Sequence, residues 1–93
     1  MRILASEQVQ AWLASLPPET KRRVRAALRD LAKGKGDIRA LHGELAGWCR
    51  LRVGGLRIVH RHLPGKIIQL DYADTRDAVY ENFLHRLIAR RAG

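Results

Sequence analysis

Four arginines fall at spacings that could do chemistry in the segment Trp48-Cys49-Arg50-Leu51-Arg52-Val53-Gly54-Gly55-Leu56-Arg57-Ile58-Val59-His60-Arg61. Cys49, Leu51 and Val53 alternate with Trp48, Arg50 and Arg52 at the period of a half-buried strand, and Gly54-Gly55 is a two-residue hairpin signal. With those glycines as the loop, Val53 faces Leu56, Arg52 faces Arg57, Leu51 faces Ile58, Arg50 faces Val59 and Trp48 faces Arg61. Directly opposed residues share a sheet face. Cys49, Leu51, Val53, Leu56, Ile58 and His60 therefore make a core face, and Arg50, Arg52, Arg57 and Arg61 gather on the other. Like charges placed opposite one another destabilise a sheet, so the Arg52–Arg57 pair points to an anionic partner. A guanidinium suits phosphate, because its planar fork binds two oxygens and keeps its charge. The same permanence makes it a poor general base.

The elements that must position this hairpin can be read on either side of it. Arg2 to Ala5 is compatible with an edge strand, and Ser6 can cap a following helix through its hydroxyl. Val9, Trp12, Leu13 and Leu16 recur at helical spacing until Pro17-Pro18 interrupts. Val24, Ala27, Leu28 and Leu31 mark a second helix from about Pro18 to Lys33, with Gly34 as its stop, and the short turn between the two makes an antiparallel helical hairpin. Lys21, Arg22, Arg23, Arg25 and Arg29 fill its remaining surface, which reads as a solvated face. Gly34 to Gly47 has no clear period and reads as a connection anchored by Leu41 and Leu45. After the hairpin, Leu63-Pro64-Gly65-Lys66 is a turn and Ile67 to Tyr72 a third central strand. Asp74 or Thr75 can cap a last helix whose stripe is Val79, Phe83 and Leu87, with Arg86, Arg90 and Arg91 near its negative pole. The expected fold is α+β, in the order β-α-α-β-β-β-α: a small antiparallel sheet with an N-terminal helical hairpin and a C-terminal helix, the helices on one face.

Ninety-three residues make a single domain, 1–93, with a modest core. Against 9 Asp and Glu there are 18 Lys and Arg, and the net charge of +9 favours nucleic acid or an acidic partner protein. The single cysteine, Cys49, excludes an internal disulfide framework and fits a reducing cytoplasm. No signal-peptide core and no run of about 18 apolar residues is present, so a membrane role is not expected. No two His, Cys or carboxylate groups show metal-ligand spacing and no glycine-rich phosphate loop precedes a helix, so neither metal nor cofactor is expected. His60 and His62 fall on the core row and read as structural histidines; His42 and His85 carry no spacing signal.

With this element order, Leu41-His42-Gly43, the run Gly47 to Gly54, and Arg57-Ile58-Val59, the chain resembles the RelE/ParE-type toxins of bacterial toxin–antitoxin pairs. Thr75-Arg76-Asp77-Ala78-Val79-Tyr80 is similar to the closing Arg-x-x-x-Tyr element of that family. The resemblance implies a RelE-like toxin, a metal-independent endoribonuclease that cuts messenger RNA on the ribosome, inhibits translation, and is neutralised by a cognate antitoxin. It implies catalytic roles for Arg50, Arg52, Arg57, Arg76 and Tyr80, the arginines around the scissile phosphate and the tyrosine as a proton carrier, with Arg61 and Lys66 as further RNA-binding cations. A phenol, with a pKa of about 10, serves as base only where nearby cations lower it. One position departs from the pattern, since Asp74 stands where RelE-like nucleases carry an arginine as general acid. The alternative implied by the same resemblance is a ParE-like inhibitor of DNA gyrase, a binding toxin and not an enzyme. An antitoxin would lay an acidic or amphipathic segment over the basic surface.

Overall fold

The hairpin forms in the register that its sequence dictates, because the apolar residues of both arms can be buried together in only one alignment. In the computed structural model, which describes residues 1–75 and 78–92, Cys49–Val53 (β3) pairs antiparallel with Leu56–Leu63 (β4). Val53 lies opposite Leu56, Arg52 opposite Arg57, Leu51 opposite Ile58, Arg50 opposite Val59 and Cys49 opposite His60. Gly54 takes φ +59, the left-handed conformation that the first residue of such a tight loop requires.

Around this hairpin the chain runs β1 (Arg2–Ala5), α1 (Glu7–Ser15), α2 (Pro18–Leu31), β2 (Asp37–Ala40), a 3₁₀ turn (Gly43–Leu45), then β3, β4, β5 (Ile67–Thr75) and α3 (Ala78–Ala92). The five strands lie in the order β1-β5-β4-β3-β2. Two features differ from the sequence expectation. Asp37–Ala40, within the stretch read as a connection, is an edge strand antiparallel to β3, and β1 joins the opposite edge parallel to β5, so the sheet is mixed. Neither pairing has a local signal, because each is decided by a partner strand distant in sequence.

The helices also divide between the faces. Val9, Val24 and Leu31 of α1 and α2 are buried with Leu51, Ile58, Ile68, Leu70 and Ala73 of the sheet. Val79 and Phe83 of α3 are buried on the other face with Val59 and Leu45, and Trp48, Tyr72, Tyr80, Leu84 and Leu87 pack around them. This corrects the expectation of helices on one face. Val59, Trp48 and Tyr72 interrupt the arginine face with apolar area that α3 covers together with Leu45 of the 3₁₀ turn.

Register shifts by one residue between Val59 and His60: Val59 is opposite Tyr72 and His60 opposite Leu70, so Asp71 is the extra residue of a bulge. Bulges re-aim side chains. Here the Asp71 carboxylate accepts from Trp48 Nε1 at 2.8 Å and pairs with Arg61 Nε at 3.0 Å. Past Ala5, where β1 ends, the edge of β5 is taken over by α1. Ser6 donates to the Asp71 carbonyl and caps α1 by accepting from Val9 N–H, as its sequence position suggested. Gln8 bonds both the N–H and the carbonyl of Ala73. Backbone groups that would be left unpaired in the sheet are thereby satisfied.

Candidate active site

On the face that carries α3, the strands place side chains in cross-strand rows. One row reads Asp37, Arg52, Arg57, Asp74 from β2 to β5, and the next reads Arg39, Arg50, Val59, Tyr72. Arg52 and Arg57, opposed in sequence reasoning, are thus each backed by an aspartate on the flanking strand, β2 or β5. The unfavourable pair is partly compensated within the fold, so it argues for an anionic ligand less strongly than the hairpin alone implied. Neither aspartate, however, is held by either arginine: among the described residues the two side-chain ion pairs are Arg50–Asp37 and Arg61–Asp71. Asp74 instead accepts from Thr75 N–H and from Asn82 Nδ2 on α3. It lies in β5, where it ties strand to helix.

These rows form the wall of a cleft of about 400 Å³ lined by Arg39, Ala40, Leu41, His42, Arg50, Arg52, Arg57 and Tyr80. Four guanidiniums, an imidazole and a phenol share one concavity. Tyr80 sits in the first turns of α3 with its ring partly packed in the Val59–Phe83 cluster. Arg52 Nε and Arg57 Nη1 both donate to the Gly54 carbonyl, at 3.4 and 3.1 Å, so the loop orients the two side chains at the turn end of the hairpin. Arg50 is the exception among the arginines. It is only 7% exposed, and its Nη1 donates to the Asp37 carbonyl at 2.9 Å and the Asp37 carboxylate at 3.0 Å. That hydrogen bond holds the Asp37 carboxyl below the usual carboxylate range.

Four of the expected site residues, Arg50, Arg52, Arg57 and Tyr80, thus line one cleft, Arg50 from a buried position. Arg76 lies outside the described residues. Arg61 is on the same sheet face but beyond Val59, with its guanidinium 5.7 Å from the Trp48 ring and paired to Asp71, so α3 separates it from the cleft. Lys66 is at the tip of the β4–β5 turn, at the end of β4 opposite to Arg57. Neither joins the arginine cluster. Arg39 and His42 do join it, and sequence reading passed over them because they lie in a segment without periodicity. Alternation of Asp37 and Arg39 with Ile38 and Ala40 was the available signal, four residues long.

His60 is fully buried, as its row predicted, but it is not a satisfied core histidine. Nδ1 lies 3.4 Å from the Ile58 carbonyl, and Nε2 has no partner among the described residues. Among those residues no three His, Cys, Asp or Glu side chains gather as metal ligands, and no helix is long and apolar enough to cross a membrane.

No family model and no curated protein matches the sequence, but solved structures do. A RelB–RelE antitoxin–toxin complex from Methanococcus jannaschii superposes with a TM-score of 0.66 over 86% of this chain and 98% of that one, at 21% identity. The chain has the RelE/ParE toxin fold. A YoeB–YefM complex from Staphylococcus aureus gives 0.65 at 15% identity, covering 82% of this chain and 97% of that one. A YoeB/ParE toxin from Agrobacterium tumefaciens gives 0.60 at 18% identity, covering 82% and 99%. At such identities the likeness is one of architecture, and RelE-like and ParE-like proteins share it. Within the RelE/ParE fold, activity must be argued from the cleft.

Proposed function

We propose that this chain is the toxin of a toxin–antitoxin pair and that it cleaves messenger RNA in the ribosome, acting in the cytoplasm and held inactive by a cognate antitoxin. The observation that carries the reading is the cleft in which Arg39, Arg52 and Arg57 converge with Tyr80 and His42 on a RelE-like scaffold. Cleavage by attack of a ribose 2′-oxygen on the adjacent phosphorus needs three things: a group to take the 2′-hydroxyl proton, cations around the phosphorane, and a donor for the departing 5′-oxygen. Arginine meets the second need with fixed charge and bidentate geometry. Tyr80 and His42 are the proton carriers of the cleft; imidazole is the commonest general acid–base group, and a positioned phenol is another. Asp74, engaged with Thr75 and Asn82, stands apart from this chemistry.

Primer extension on messenger RNA from programmed ribosomes tests the reading directly. Cuts within the decoding site by the wild type, lost in Arg57→Ala and Tyr80→Phe, support it. Intact message from a protein that still arrests growth removes it. The competing reading is inhibition of DNA gyrase, favoured by the exposed arginines of α2, Arg22, Arg23, Arg25 and Arg29, on a fold that ParE toxins share. It predicts blocked supercoiling by purified gyrase and toxicity indifferent to Arg57→Ala.

A further inference from the structure

The four arginines of the cleft are not equivalent toward an incoming anion. Arg50 already holds one, since its Nη1 is shared between the carbonyl and the carboxylate of Asp37, and little of its surface is open. A phosphate would have to compete with that carboxylate for a guanidinium whose charge is largely matched. Arg39 stands directly opposite Arg50 across β2 and β3, lines the same cleft, is exposed, and makes no ion pair among the described residues. What Arg50 does hold is the strand that carries Arg39: β2 is a four-residue edge strand, exposed along its whole length, and Arg50 fastens the backbone and side chain of its first residue.

We infer that Arg39 is the third phosphate-contacting guanidinium of the cleft beside Arg52 and Arg57, and that Arg50 is a positioning residue that fixes β2 against β3. The inference rests on the ribonuclease reading, and it moves to β2 a contact that family resemblance assigns to β3. It also gives Asp37 a part to play. Its carboxylate keeps Arg50 turned toward the edge strand and away from the substrate.

The test measures two quantities for each variant, kcat/KM for message cleavage on programmed ribosomes and affinity for a short 2′-O-methyl RNA that cannot be cut. Arg39→Gln is expected to lower both at least ten-fold, with Arg39→Lys recovering part of the affinity because it keeps the charge. Asp37→Asn preserves side-chain shape but removes the carboxylate charge that occupies Arg50. Added to Arg39→Gln, it is expected to restore several-fold of the lost affinity as Arg50 becomes available. Thermal unfolding of each variant confirms that the fold is retained. Arg39→Gln equal to an active wild type overturns the inference, and so does a loss that Asp37→Asn fails to relieve at all. A wild type that neither binds nor cuts RNA overturns the ribonuclease reading and this inference together, an outcome distinct from the other two.

Discussion

Arg52 and Arg57 stand directly opposite each other across the β3–β4 hairpin, and both donate to the same acceptor, the Gly54 carbonyl at its turn. Two guanidiniums are held side by side at the mouth of one cleft, and neither is in an ion pair among the described residues. Replacing Arg57 by alanine should therefore separate activity from stability. Removing one preorganised charge-stabilising donor typically costs about 10²–10³ in rate. Relief of a like-charged cross-strand pair, offset by the loss of Asp74 as the opposite neighbour of Arg57, should change stability by less than about 1 kcal/mol. Cleavage rates on programmed ribosomes and urea unfolding of the same preparation provide the check.

Tyr80 packs its ring at the edge of the Val59–Phe83 cluster while lining the cleft, so its two roles can be separated by removing one atom. Tyr80→Phe should leave thermal unfolding within a few degrees of wild type and reduce cleavage by about 10²–10⁴, the usual contribution of a positioned proton carrier. His42→Gln, at an exposed position in the same cleft, distinguishes the two candidates: the variant with the larger loss identifies the dominant proton carrier. If neither substitution slows cleavage, proton transfer by this cleft is excluded.

Burial lowers the pKa of His60 from its ordinary 6.5; the Ile58 carbonyl and Asp71 oppose that shift and the charge of His62 adds to it. Above about pH 6.5 the imidazole is neutral in both folded and unfolded chains and has no pH-linked effect. Below it, the unfolded chain takes up a proton that the buried ring resists. Stability should fall as pH drops through 6.5 toward the lowered folded value, then level off. The other three histidines are exposed, so the difference between wild type and His60→Leu in denaturant unfolding at pH 7.5 and 5.5 isolates this residue. A wild-type slope shared by the variant would assign the effect elsewhere.

The Asp71 bulge ties β4 and β5 to the residue that leads into β3, because one carboxylate oxygen takes both the Trp48 indole N–H and Arg61. A hydrogen bond to a charged group is worth about 1.5–3 kcal/mol. Trp48→Phe, which keeps an aromatic ring against Phe83, should destabilise the protein by about that amount while cleavage per folded molecule stays at the wild-type level, since Trp48 lies outside the arginine cleft. Chemical denaturation and an active-fraction-corrected rate measure both halves of the prediction.

The β3–β4 hairpin and its register were legible in the sequence because they depend on local terms: a period of two, a glycine pair that accepts left-handed backbone, and two arms with apolar residues in matching positions. So were α1 and α2, set by apolar spacing and by the Ser6 cap and the proline break. Strand β2 was not, since four exposed residues carry almost no hydrophobic pattern and the segment is extended only because β3 offers a partner. The site divided along the same line. Arg52, Arg57 and Tyr80 could be anticipated, whereas Arg39 and His42 entered the cleft through the placement of β2 and the turn that follows it.

The sequence by itself determined which residues are cationic, which faces of the hairpin they share, and the order of the elements other than β2, because propensity and periodicity act between near neighbours. Only the tertiary structure decided which cations meet. Packing of α3 over Val59 and Tyr72 separates Arg61 from Arg57, the bulge turns Asp71 toward Trp48, and pairing with an edge strand gives Arg50 a carboxylate and the cleft a fourth arginine. Those are contacts between segments far apart along the chain, and they form where burial of apolar area and pairing of backbone groups are satisfied together.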